Sequence, residues 1–164
     1  MIPIDAYVQF AGGQGLLSFG IAATPLKRIS VSFGVGYTPP AYGGILTFTG
    51  KCLYTPWSIH LNERMTLLPL SVGLHATLTH SKNIDLGWDK QRYPRNYYWW
   101  SSSLRKGPLL QMGIRYKSSQ YMITPYFEFS TNDLYLVSYW ENRRSLSPAE
   151  ILVLGAGIGV RLNP

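Results

Sequence analysis

The chain alternates. In MTLLPLSVGLHATLTH (65–80), the even positions Leu68, Leu70, Val72, Leu74, Ala76 and Leu78 are apolar. Their odd neighbours Pro69, Ser71, Gly73, His75, Thr77 and Thr79 are small or polar. A period of two held this long belongs to a strand, whose successive side chains point to opposite faces. ISVSFGVGY sets Ile29, Val31, Phe33, Val35 and Tyr37 against Ser30, Ser32, Gly34 and Gly36, and LLQMGIRYK sets Leu110, Met112, Ile114 and Tyr116 against Gln111, Gly113, Arg115 and Lys117. IDAYVQFA, GLLSFGIAA, ILTFTGKCLY and ITPYFEFS repeat the pattern. So does the C-terminal ILVLGAGIGVRLNP, where Leu154, Ala156, Ile158, Val160 and Leu162 oppose Gly155, Gly157, Gly159 and Arg161. Eight strands are expected, near 4–11, 15–24, 29–37, 45–55, 66–79, 108–117, 122–130 and 151–162.

The bulk lies on one face and the small residues on the other, which decides the surroundings. A soluble barrel turns its large apolar side chains inward and covers its outside with charge. Here the polar face is mostly Gly, Ser, Thr and Ala, which suits the cramped interior of an eight-stranded barrel. The Leu, Phe and Val face then looks outward at lipid, the apolar-out, polar-in pattern of a transmembrane barrel. Most runs reach the roughly 9–11 residues that a tilted membrane strand needs. Closing the sheet pairs every backbone group, as hydrocarbon demands. The expected fold is therefore all-β, a single eight-stranded antiparallel up-and-down transmembrane β-barrel over residues 1–164.

Connections fit one orientation. With both termini periplasmic, the periplasmic turns are PLKR, a WSIHLNER segment and SSQ. The outer loops are a very short GGQ, then TPPAYGG, and two long segments at 80–107 and 131–150. Residues 6–26 and 29–50 carry no charge, yet AGGQG and GYTPPAYGG interrupt them, so neither reads as a membrane helix.

Composition sharpens this picture. Only 14% of the 164 residues are charged, against roughly 25% in soluble domains. The net charge of +7 favours anionic partners. Cys52 is the single cysteine, so no internal disulfide and no CxxC site exists. No metal-ligand spacing or cofactor motif is legible, and the glycines of GAGIGV have no following helix to receive a pyrophosphate. No cofactor is expected. Met1 leads directly into IPIDAYVQF without a basic signal-peptide region.

On this register Asp5, Lys51, Arg115, Glu128 and Arg161 face the lumen, with Lys117 beside them. Unpaired ions in a narrow lumen are costly, so opposite charges should meet there. Asp5 opens the first strand and Arg161 ends the last, and these strands are neighbours at closure. The two residues are expected to lie close together.

The loop SKNIDLGWDKQRYPRNYYWWSSSLRKG mixes aromatic and basic residues: Trp88, Arg92, Arg95, Trp99, Trp100 and Arg105 stand out. NDLYLVSYWENRRSLSPAE repeats the mixture with Tyr135, Tyr139, Trp140, Arg143 and Arg144. Such residues can stack on bases and bind phosphates, but in a membrane topology they belong at the interface, where cations meet anionic head groups. The expected partners are membrane lipid and lipopolysaccharide, or a protein in the same membrane, and not nucleic acid. Catalytic candidates are thin. His80 and Ser81 at the outer rim, with His75, Asp85, Asp89 and Glu141 nearby in sequence or topology, contain the residue types of a hydrolase triad without its geometry.

Taken together, the chain resembles the small eight-stranded outer-membrane barrels of Gram-negative bacteria. RYPRNYYWW, TNDLYLVSYWENRRSLSPAEIL and the glycine-rich last strand look like a group described only as outer-membrane β-barrel proteins. That resemblance implies a bacterial outer-membrane location and no activity. The lipid A deacylase family shares the architecture but uses a His-x-Ser-Asn motif with a downstream Glu. In HSKN (80–83) His80 and Ser81 are adjacent, so that motif is broken. No match to the lipid A palmitoyltransferase family can be placed. Many such barrels end in an aromatic residue, whereas this chain ends VRLNP, which leaves a longer native chain or a weaker assembly signal open. The leading expectation is a non-enzymatic integral outer-membrane barrel. A lipid A-modifying hydrolase and a soluble lipid-binding barrel are the alternatives.

Overall fold

The computed structural model of the protein describes residues 2–80 and 103–162. The strands are β1 (Ile4–Ala11), β2 (Leu17–Leu26), β3 (Ile29–Thr38), β4 (Ile45–Tyr54), β5 (Ile59–His60), β6 (Met65–His80), β7 (Leu104–Lys117), β8 (Tyr121–Ser130) and β9 (Val153–Leu162). Consecutive long strands pair antiparallel, β9 pairs with β1, and β4 pairs with β6, so the sheet has no free edge along its wall. Eight strands make a closed up-and-down barrel. β5 is a two-residue extension, set by pairing of Ile59 with Leu67 and His60 with Thr66 at the foot of β6.

The barrel is inverted relative to a soluble one. Val8, Phe10, Phe19, Ile21, Phe33, Leu74, Phe127 and Leu154 are all exposed on the outer wall, Ile21 at 60%. Gln9, Glu128 and Lys51 are buried inside at 0%, 1% and 6%. In water, those eight outward side chains, each about half exposed, would forgo roughly 6–13 kcal/mol of burial, taking a little over half of the roughly 1.5–3 kcal/mol for full burial of each. Domains are stable by only about 5–15 kcal/mol. This exterior therefore belongs in hydrocarbon, and the fold is that of a transmembrane barrel. Among the described residues no helix is long and apolar enough to cross a membrane.

Three departures from the sequence pattern have local causes. The register between β6 and β7 shifts between Leu68 and Ser71, where Pro69 has no N–H to give the ladder. The shift reverses the phase of β6. Leu68 pairs with inward Gly113 and Ser71 with inward Gln111, so Leu68 lines the lumen instead of facing lipid. Strand β7 begins at Leu104, which moves Arg105 from the long loop into the wall opposite Thr77. The segment after β8 is not all loop. It forms helix α1 (Asp133–Glu141), capped by the Asn132 side chain, which accepts from the Tyr135 N–H at 3.0 Å.

A 3-10 turn at Pro148–Ile151 follows, closed by a capping box in which the Ser147 N–H donates to Glu150 at 2.6 Å. That bond holds the exposed Glu150 carboxyl below its ordinary pKa. Ile151 is buried in this turn, which explains why the last strand starts two residues later than the alternation suggests.

Ile21, mid-strand on the outer wall, supplies the test of this geometry. Ile21→Lys should destabilise the barrel in phospholipid bilayers by about 2–4 kcal/mol if it sits near the bilayer midplane, measured by reversible urea unfolding. An unchanged midpoint would place Ile21 against water.

Candidate functional site

The lumen divides into a packed cluster and an open vestibule. At the centre of the cluster Lys51 Nζ and Glu128 Oε2 lie 2.5 Å apart, both almost wholly buried. Gln9 ties them together: its Nε2 donates to Glu128 Oε1 at 3.1 Å and its Oε1 accepts from Lys51 at 3.0 Å and from the Tyr126 hydroxyl at 2.9 Å. The Lys51 ammonium also lies 5.6 Å from the centre of the Tyr7 ring. β1, β4 and β8 each place one member at the same level, so the pair is fixed by three separate strands. Such a pair offsets the cost of burying its charges only when the remaining lone pairs and protons are satisfied, which the glutamine and tyrosine partners achieve.

One further member comes from a turn. The β1–β2 connection does not project outward as a short loop. It folds into the barrel, with Ala11, Gly12, Gly13 and Gly15 all at positive φ, a conformation that glycine adopts without steric cost. Gln14 is thereby buried in the lumen, where its amide donates to Glu128 at 3.4 Å and accepts from Tyr7. The Thr47 hydroxyl donates to the Gln14 carbonyl. A Cβ on Gly36 would collide with that carbonyl, so the glycine on β3 makes room for the tucked turn.

Toward the end that holds the chain termini, the lumen widens into a cavity of about 680 Å³. Here Arg161 grips Asp5 with two parallel bonds, Nε to Oδ1 at 3.0 Å and Nη2 to Oδ2 at 2.6 Å. The two residues expected to meet at barrel closure do so. Arg115 lines the same cavity, near enough to feel the charges of both Arg161 and Asp5. Among the described residues it has no ion pair, and its buried Nε has no hydrogen-bond partner. Lys117, expected beside it, is exposed at the strand end.

At the opposite end the placements are mixed. Arg105 was expected among the loop contacts to lipid, but its position on β7 turns its side chain into the upper lumen, 3.9 Å from Asp133. Arg143 stacks over the Trp140 ring at 4.2 Å, with Trp140 itself 68% exposed, and Arg144 is exposed beside it. His75 bonds the Thr131 carbonyl at 2.9 Å, a structural role inside the wall. His80 ends β6 opposite Leu46. Ser81, Trp88, Arg92, Arg95, Trp99 and Trp100 lie outside the described residues. Among the described residues no cluster of His, Cys, Asp and Glu is arranged to hold a metal.

Sequence reasoning places the charges but misses their polar escorts. Gln9, Tyr7 and Tyr126 carry the right parity, and only their size marks them as residues that must reach across the lumen. Gln14 sits in a turn and has no parity to read. The last strand also divides: a Cβ on Gly155 would crowd Gln9 and the Gly12 backbone, and one on Gly157 would strike the Tyr126 ring. Gly159 faces the vestibule, with no atom nearer than 3.8 Å to such a Cβ.

No protein-family model matches the chain, and no curated protein matches it. Among solved structures it is similar to the crystal structure of Ail, the attachment invasion locus protein of Yersinia pestis, with a TM-score of 0.42 and 11% identity, covering 98% of this chain and 93% of that one. A likeness of that size carries no functional argument.

Two predictions follow the lumen's division. Lys51→Met or Glu128→Gln alone should each cost about 3–5 kcal/mol by stranding a buried charge or its hydrogen bonds. The double variant should lose markedly less than the two singles combined, read by urea unfolding in detergent; additive losses would mean the pair is not coupled. Gly157→Ala should destabilise by about 1–3 kcal/mol through overpacking against Tyr126, while Gly159→Ala should leave the midpoint unchanged.

Proposed function

We propose that the protein is a non-enzymatic integral barrel of the bacterial outer membrane. Both termini lie on the periplasmic side. The α1 end faces outward and contacts lipopolysaccharide or a neighbouring membrane protein. The observation that carries this reading is the inverted wall: an apolar exterior around a lumen closed by the Lys51–Gln9–Glu128 cluster. An eight-stranded lumen is too narrow for a solute channel once side chains fill it, which leaves the two rims and the outer wall for recognition.

The outer rim supports an anionic lipid partner. Helix α1 buries none of its residues and displays Tyr135, Leu136, Val137 and Trp140 beside Arg143 and Arg144. An amphipathic aromatic ring with a guanidinium stacked on it suits the boundary between acyl chains and phosphates. Basic side chains near an anionic membrane surface contribute about 1 kcal/mol each.

Refolding into bilayers with and without lipid A tests the reading. The native chain should be more stable in the lipid A bilayer, and Arg143→Ala/Arg144→Ala should remove about 2 kcal/mol of that difference while leaving stability in phosphatidylcholine alone. Equal midpoints in both bilayers would refute the lipopolysaccharide contact. A cysteine placed at Ser145 should react with an impermeant maleimide on intact cells. Labelling only after the outer membrane is opened would reverse the orientation.

A further inference from the structure

The vestibule at the terminus end has a charge imbalance that the barrel's own structure does not use. Its lining holds five cations, Lys27, Arg28, Lys51, Arg115 and Arg161, against one carboxylate, Asp5. Lys51 is matched by Glu128 in the cluster beneath, and Arg161 is held by Asp5 through Nε and Nη2. Among the described residues Arg115 has no such match. Its guanidinium projects from β7 into the cavity with a buried Nε that nothing among the described residues accepts. A guanidinium fork is a bidentate donor for planar or tetrahedral oxyanions, and leaving one of its N–H groups buried and unpaired is costly.

We propose that the vestibule is a binding site for a phosphate ester, whose phosphate is received by Arg115 with the help of Arg161, and whose entry is steered by Lys27 and Arg28. Size and lining set the rest of the ligand. The cavity of about 680 Å³ is far larger than a bare phosphate needs, and Leu26, Leu53, Trp57 and Leu68 line it beside the cations. A polar, cationic lining with this apolar strip suits a ligand with a charged head and a small organic body. Leu68 is there because of the β6 bulge, which turns it from the lipid face to the cavity. The β2–β3 turn and the segment bearing Trp57 line the cavity at the end of the barrel, so a ligand could come from the aqueous side or from a lipid head group reaching over the rim. Asp5 acts as an internal competitor: it occupies Arg161 when the site is empty.

Titration calorimetry in maltoside detergent, which carries no phosphate, tests the site. Glycerol 3-phosphate and dihexanoyl phosphatidic acid are the two probes, and both should give saturable heats. Arg115→Gln should weaken binding about tenfold or more, the loss of a charge-assisted bond, with folding verified by gel mobility before and after boiling. Should Arg115→Gln not fold, Arg115→Lys keeps the charge without the fork and should bind severalfold more weakly than the native chain. Asp5→Asn frees Arg161 and should tighten binding, a change opposite in sign to that of a merely destabilised barrel. Tighter binding of dihexanoyl phosphatidic acid would assign a lipid head group as the natural source; equal affinities would assign a soluble ester. Absence of saturable heat with either probe, or an affinity indifferent to Arg115 substitution, overturns the site. Binding by Asp5→Asn no tighter than native overturns the two-arginine assignment.

Discussion

Closure of the eight-stranded sheet is the constraint on which the rest of this structure depends. Hydrocarbon offers no hydrogen bonds, so the wall must pair all its own backbone groups, which the β1–β9 and β4–β6 ladders complete. Closure at so small a strand number leaves a lumen the width of a few side chains. Every long residue pointing inward must therefore find its partner across that width. Gln9, Lys51, Tyr126 and Glu128 do so at one level, and glycines at 36, 155 and 157 stand where a Cβ would obstruct them or the tucked turn.

Charge is treated differently along the barrel axis. In the cluster, water is excluded and Lys51 is matched atom for atom by Glu128 and Gln9. In the vestibule the Asp5–Arg161 pair is still partly hydrated, with about a fifth of each side chain exposed. Among the described residues Arg115 has no ion pair there, and its buried Nε has no hydrogen-bond partner, a cost that an anion in the vestibule would offset. The same gradient that makes the cluster a structural plug makes the vestibule able to accept an anion. At the end opposite the termini, Arg105 lies 3.9 Å from Asp133, and Arg143 stacks on the Trp140 ring.

The period-two pattern was enough to read the wall. Strand order, the outward face, the inward positions of Asp5, Lys51, Arg115, Glu128 and Arg161, and the meeting of Asp5 with Arg161 follow once alternation and closure are accepted, because parity along a strand fixes the face of every residue at once. That reasoning fails wherever parity is interrupted. Pro69 interrupts it in β6 and sends Leu68 inward. An unexpected strand start carries Arg105 from a supposed lipid-facing loop to a lumen position beside Asp133. Turns have no parity, so the inward fold of Gln14 and the helix at Asp133–Glu141 were not legible from it.

The sequence by itself determined the closed barrel, its inverted polarity and five of the charges inside it (Asp5, Lys51, Arg115, Glu128 and Arg161), since these depend on a local repeat. Only the tertiary structure decided which charge meets which. Lys51 and Glu128 are 77 residues apart and belong to strands that do not touch in the sheet; their contact depends on the lumen's width and on Gln9 spanning it. That the buried Nε of Arg115 has no partner among the described residues is likewise a property of three dimensions, because it depends on every group that surrounds the guanidinium.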